Sequence, residues 1–179
     1  MTPEEIEVCG LGLTKGVVRL ERGVPSWSTV ATALIAQITD TLGTQAAAVE
    51  HIGSTAVSGL LARPIVDIAV LLAVDVPTDV VVAAMERLGN EFRGDAGSSG
   101  DLVFVLSVRP EHRVAHVHVV PPGDEQWEHY LAFRDRLRID ARARATYEAT
   151  KRSLASRHHN DVKAYTDGKD EIVRRLRER

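Results

Sequence analysis

The run Pro64-Ile65-Val66-Asp67-Ile68-Ala69-Val70-Leu71-Leu72 is apolar and β-branched almost throughout, with one acid inside it. Such a stretch predicts a central β-strand buried on both faces of a sheet. Pro64 stands at its start, where no ladder donor is needed. Asp67 is the anomaly. A polar group buried without a partner costs roughly 2–7 kcal/mol, so something must compensate it.

The flanking sequence supplies the remaining layers. Val30, Leu34, Ile38 and Leu42 recur at steps of four, with Ala31 and Ile35 beside them, which predicts an amphipathic helix over 28–42 closed by Gly43. Residues 46–52 read as extended and run into a small-residue loop over 53–63. A second helix is expected from Thr78, as N-cap, to Leu88, with Val81, Ala84 and Met85 inward and Gly89-Asn90 closing it. Glu91-Phe92-Arg93 and a loop over Gly94–Gly100 lead to Leu102–Val108, which pairs antiparallel with Val114–Val120 across a turn at Arg109–Arg113. Three helices follow, about 124–138, 140–158 and 161–177, each opened by an aspartate that can cap free amides. Trp127, Leu131, Tyr147, Leu154, Tyr165, Ile172 and Leu176 are their candidate inward residues. The first twenty or so residues match no template. The fold class expected is α+β: a mixed β-sheet with flanking α-helices and a C-terminal helical segment, forming one domain over 1–179 with its core at about 25–176.

Composition narrows the function. At 44% hydrophobic and 26% charged, the chain has the make-up of an ordinary soluble domain. One cysteine, Cys9, excludes an internal disulfide framework. No apolar run approaches the ~20 residues that span a bilayer, and the acidic start Met1-Thr2-Pro3-Glu4-Glu5 is unlike a secretory leader, so a cytoplasmic location is expected. Residues 130–179 carry 14 Lys and Arg against 8 Asp and Glu, whereas the rest carries 8 against 17. With a pI near 6.2 and no polybasic run, nucleic acid is not the expected partner. A single phosphorylated small molecule needs far fewer cations.

Ile52-Gly53-Ser54, then twelve residues, then Asp67, is an arrangement with a chemical reason. A glycine at a strand end lets backbone N–H groups approach a phosphate, the adjacent hydroxyl adds a donor, and the carboxylate can hold a divalent ion on that phosphate. The competing reading is that Asp67 only hydrogen-bonds the neighbouring Ser/Thr-containing loop. His116 and His118 share one strand face, with Val117 and Val119 on the other. They can ligate a metal, bind phosphate or nucleobase without one, or serve as general base. His51 reads as a residue that orients the loop, and Glu50 either as a supporting partner or as a solvent-facing acid.

Val49-Glu50-His51-Ile52-Gly53-Ser54-Thr55-Ala56-Val57 with Arg63-Pro64-Ile65-Val66-Asp67-Ile68 closely resembles the signature of the GrpB family, a branch of the nucleotidyltransferase superfamily. The resemblance continues through His116–Val120, Trp127–Asp135, Tyr147–Lys151, Tyr165 and Lys169, covering roughly residues 25–176. It implies a nucleotidyltransferase-like sheet that binds a nucleoside triphosphate, with ATP expected, through Gly53 and Ser54, and a metal through Asp67. It also lifts Arg63, Arg134, Lys151 and Lys169 from surface cations to candidate phosphate ligands, as charge neutralisation dominates nucleotidyl transfer.

The wider superfamily carries a second acid two residues after the first, where this chain has Ala69. Two readings follow: Asp67 with the triphosphate suffices for one Mg²⁺, or Asp67, His116 and His118 together hold Mn²⁺ or another transition ion. The function implied is transfer of a nucleoside monophosphate to a small-molecule acceptor, or activation of a carboxylate as an adenylate. The alternative is an inactive nucleotide- or phosphometabolite-binding module. No membrane partner is expected.

Overall fold

The computed structural model describes residues 2–95 and 101–178, so positions 96–100 of the expected Gly94–Gly100 loop lie outside the described residues. In chain order the elements are α1 (Pro3–Val8), β1 (Leu13–Thr14), β2 (Glu21–Arg22), α2 (Pro25–Leu42), β3 (Ala46–Ile52), β4 (Leu61–Ala62), β5 (Val66–Leu72), α3 (Thr78–Arg87), β6 (Asn90–Asp95), β7 (Leu102–Arg109), β8 (His112–Val120), α4 (Gln126–Ile139), α5 (Ala141–Arg157), α6 (Val162–Asp167) and α7 (Asp170–Arg177). The main sheet has the order β3-β5-β8-β7-β6, with β1 added beside the start of β8, while β2 and β4 form a separate pair.

β5 is interior, as its apolar run requires: β3 lies antiparallel on one side and β8 parallel on the other. A parallel neighbour needs a crossover, and α3, β6 and β7 supply it. One face of β5 and β8, carrying Val66, Ile68, Val70, Val117 and Val119, packs against Trp27, Val30, Leu34 and Ile38 of α2 and Val81 and Met85 of α3. Each such side chain contributes about 1.5–3 kcal/mol when taken from water. The opposite face, with Ile52, Ala69 and Val120, lies under Trp127, Tyr130 and Leu131 of α4. A further apolar layer of Phe133, Leu137, Tyr147 and Ile172 joins α4 to α5 and α7.

Several boundaries differ from the sequence reading. Asn90 opens an edge strand, pairing with Leu106, instead of ending the helix before it. Its amide donates to the Met85 carbonyl at 3.2 Å. The polar make-up of Asn90–Asp95 hid that strand. Thr78 lies inside α3, whose N-cap is Pro77 with no side-chain bond. Asp140 and Asp161 do cap α5 and α6, whereas Asp124 accepts from Gln126 N at 2.9 Å while Glu125 holds the cap position of α4. The expected last helix is two, α6 and α7, broken at Gly168, where a Cβ would stand 2.5 Å from Leu154. No helix among the described residues is long and apolar enough to cross a membrane.

Candidate nucleotide site

Strand register assembles the site. Asp67 faces Ile52 on β3 and His116 on β8, and Ala69 faces Glu50 and His118. Period-two alternation therefore puts Asp67, Ala69, His116 and His118 on the α4 side of the sheet. Gly53 follows directly. Its φ of +68° is in the left-handed region, and a Cβ there would lie 2.5 Å from Asp67 Oδ2. Only glycine lets this bend approach the carboxylate so closely.

Asp67 is not sealed in the core. Its side chain is 29% exposed and opens on a cavity of about 360 Å³ between this sheet face, residues 13–17 and helices α4, α6 and α7. Lys15, Arg63, Arg113, Lys169 and Arg177 line that cavity, and Asp67 is the one acid among its described lining residues. A side pouch of about 70 Å³ adds Ser54, Tyr147 and Tyr165 while sharing Gly53, Arg63, Asp67 and Lys169.

His116 Nδ1 lies 3.3 Å from Asp67 Oδ1. Burial works to raise the Asp67 pKa, but the hydrogen bond with His116 and the charges of His116, His118 and Arg63 outweigh it and hold the carboxyl well below the usual range. Burial also keeps His116 below the ordinary histidine value despite Asp67. Around neutral pH the pair is thus a carboxylate and a neutral imidazole, with Nδ1–H donating and Nε2 left as a lone pair. At that pH the hydrogen bond and Arg63, more than an imidazolium, keep Asp67 ionised.

His118 sits in a separate chain of contacts. Tyr130 donates its hydroxyl proton to Asp101 Oδ2 in a short bond, so its oxygen accepts from His118 Nδ1, 3.1 Å away. Burial and then the Asp101 charge push the Tyr130 pKa up, keeping that proton in place. His118 is thereby fixed as the Nδ1–H tautomer with Nε2 free to accept. Asp101 is wholly buried, and its Oδ1 has no partner among the described residues.

The four predicted cations divide. Arg63 and Lys169 line both cavity and pouch, and each lies over the Tyr165 ring, at 5.6 and 4.6 Å from its centroid. Burial and then Arg63 lower the Lys169 pKa to about 8. Arg134 and Lys151 do not line the cavity. Arg134 binds Glu50 at 2.7 Å, Asp135 at 2.8 Å and the His51 carbonyl at 3.1 Å. Lys151, 1% exposed, donates to Ser54 Oγ at 3.0 Å and to the Leu61 carbonyl. Burial and then Lys169 bring its pKa down to about 7. These two brace the Gly53–Ser54 bend from behind. His51 does the same through Thr55 at 2.9 Å, and burial lowers its pKa to about 4.

Phe133, packed with Leu137 and Tyr147, also lines the cavity. Asp101, Arg113 and Arg177 carry no motif in the sequence. Asp101 adjoins a polar loop, whereas Tyr130 lay within the Trp127–Asp135 match and was legible there.

Among the described residues no group of three or more His, Cys, Asp or Glu side chains is gathered as a cation site. Asp67 and His116 face each other as hydrogen-bond partners. Ala69 is fully buried in the apolar cluster with Ile52, Val120 and Trp127, so the position of a second acid is closed by α4. This donor set suits one hard ion whose remaining ligands are phosphate oxygens and water. It does not suit an ion pair.

The architecture is nucleotidyltransferase-like. A crystal structure of the Cid1 poly(U) polymerase with Mg 3′-dATP bound superposes with a TM-score of 0.54 over 92% of this chain and 52% of that one, at 16% identity. Within that fold the chain belongs to the GrpB family, whose description, GrpB protein, matches residues 17–179. The conserved protein GrpB from Enterococcus faecalis is 28% identical with a TM-score of 0.80, covering 89% of this chain and 95% of that one. A UPF0157 protein of Pseudomonas aeruginosa is 38% identical over 154 residues, 85% of this chain but 63% of the relative, so the chain spans under two-thirds of that protein.

Proposed function

We propose that residues 1–179 act as one unit that transfers a nucleoside monophosphate from a nucleoside triphosphate, with ATP expected, to a small-molecule acceptor. The observation that carries the reading is an ionised Asp67 against Gly53, open to a cavity whose other Lys, Arg, Asp and Glu residues are all cations. In the step proposed, an acceptor oxygen attacks the α-phosphorus, the bond from that phosphorus to the β-phosphate bridging oxygen breaks, and pyrophosphate leaves. The acceptor's proton goes to His118 Nε2, the nitrogen left free by the bond to Tyr130. Gly53 and Ser54 would cradle the triphosphate, with Arg63 and Lys169 neutralising it. Asp67 would hold a divalent ion, Mg²⁺ or Mn²⁺, which when bound supplies charge neutralisation at the phosphates. A volume of about 360 Å³ falls within the ~300–1,000 Å³ of small-molecule sites, which supports a small acceptor over a polymer. A carboxylate acceptor would give the adenylate by the same step.

Thermal shifts with ATP, GTP, CTP and UTP, each with Mg²⁺, Mn²⁺ or chelator, followed by pyrophosphate release, test this. Metal-dependent release lost in Asp67→Asn supports transfer. Ala69, buried where a second acid would stand, favours the other reading, a nucleotide-binding module without turnover. Nucleotide-induced stabilisation with no release from any acceptor would establish that one.

A further inference from the structure

In β8, Ala115, Val117 and Val119 face the apolar core while His116 and His118 face the cavity. Strict alternation would send Arg113 into the core with Ala115. The register with β7 prevents this: Leu106 faces Ala115 but Ser107 faces Arg113, leaving Val114 as an extra residue. Such a bulge reverses the parity of what precedes it. Val114 is fully buried in the core beside Ala115, and Arg113 turns to line the cavity with the two histidines. The Arg113 guanidinium has no hydrogen bond or ion pair among the described residues.

A second cation reaches the cavity from the opposite layer. Arg177, in the last turn of α7, lines it with a buried Nε that has no hydrogen-bond partner among the described residues. Segment 13–17 forms another wall of the cavity, with Leu13 paired to Arg113. It is tied to the sheet by Gly12 N to Pro64 O and Lys15 N to Glu111 O, and the next residue, Val18, to His159 O, each at 2.8 Å. Lys15 adds a rim charge, shared with Glu111 at 3.4 Å. Arg113, Arg177 and Lys15 line the main cavity but not the pouch that holds Ser54 with Arg63 and Lys169. Gly53 follows the β3 neighbour of β5 and Arg113 lies on its β8 neighbour, so the two come from opposite sides of the strand that carries Asp67.

We infer that Arg113, Arg177 and Lys15 form a second anion subsite that holds the acceptor, which is itself a small acid bearing a carboxylate or a phosphate. Forked guanidinium donors suit either group, and Leu13 and Val17 offer its body an apolar wall. This inference rests on the transferase reading for the word acceptor, while the subsite stands or falls on binding alone.

The test is titration calorimetry with inorganic phosphate and, separately, succinate, on the full chain with and without a non-hydrolysable ATP analogue and Mg²⁺. Wild type should bind one or both probes alongside the analogue, the tighter probe naming the group. Arg113→Met should weaken that probe at least about tenfold and leave the analogue's Kd within about twofold, while Arg63→Met should weaken the analogue. Should Arg113→Met fail to fold, by melting and circular dichroism, Arg177→Met carries the same expectation. No binding of either probe to wild type, unchanged probe affinity in the folded variant, or competition between probe and analogue for one site would overturn the subsite. Failure of the analogue to bind, with Arg113-dependent probe binding retained, would sink the nucleotide reading and keep the subsite.

Discussion

The two faces of the central strand β5 follow different rules. Toward α2 and α3, Val66, Ile68 and Val70 are fully buried among apolar partners, and any volume-conserving apolar set would serve there. Toward α4, adjacent positions carry a part-exposed carboxylate and a sealed alanine, and each neighbour is specified by charge, hydrogen bonding or φ. One face stores the stability and the other carries the chemistry, separated by one residue along the chain.

The sharpest test of that division substitutes neighbours. Ile68→Ala should cost about 2–5 kcal/mol in urea unfolding, from lost burial and the cavity left behind. Asp67→Asn, one residue away, should lower any metal-dependent pyrophosphate release by about 100-fold or more while keeping a near-native melting temperature. If Asp67→Asn unfolds the protein as readily as Ile68→Ala, Asp67 is structural and the two faces are not distinct.

A second test uses the cation buried behind the bend. Lys151 has a folded pKa of about 7, lowered by burial first, against about 10.4 in an unfolded chain. Below pH 7 both states hold the proton and no slope arises. Between these values the unfolded state binds more protons, so stability rises with pH, by at most about 1.4 kcal/mol per unit. Lys169 adds the same sign only from about 8. Unfolding free energies at pH 7 to 8 should therefore rise in wild type more steeply than in Lys151→Met. Equal slopes would mean Lys151 keeps its charge and is not desolvated behind Ser54.

Smaller effects sharpen the bend itself. Gly53→Ala must place a Cβ at positive φ and 2.5 Å from Asp67 Oδ2, so a loss of about 1–3 kcal/mol is expected from backbone strain, together with weaker nucleotide binding. A variant with wild-type stability and nucleotide affinity would show that the close approach is dispensable.

Much of this was legible in the sequence, for physical reasons. The buried strand, the amphipathic α2 and the spacing from Gly53 to Asp67 are local patterns, and local patterns fix local structure. Arg134 and Lys151 are expected as phosphate ligands only because the family resemblance implies it. Tertiary packing decides otherwise: Glu50 and the Leu61 carbonyl take their donors first. Arg113 reads from sequence as the end of the turn Arg109–Arg113, whereas β8 already starts at His112, and the bulge that aims Arg113 is a property of paired strands that one strand cannot declare. The edge strand β6 lacked an apolar run, so nothing set it apart from a loop.

The smallest expected effect concerns how far the bend is set before any ligand arrives. Thr55 is 5% exposed and binds His51 Nε2 at 2.9 Å. His51 stays neutral because burial, foremost, lowers its pKa to about 4, so this is a bond between neutral groups. Thr55→Val keeps the shape and removes the hydroxyl, leaving one ring nitrogen short of a partner, which should cost about 1 kcal/mol and lower the melting temperature by a few degrees. If the bend is held mainly by this bond, nucleotide affinity falls with it. If Lys151 and Arg134 hold it from the other side, stability drops while affinity stays within about twofold, and the chemistry-bearing face is shown to be braced at more than one point.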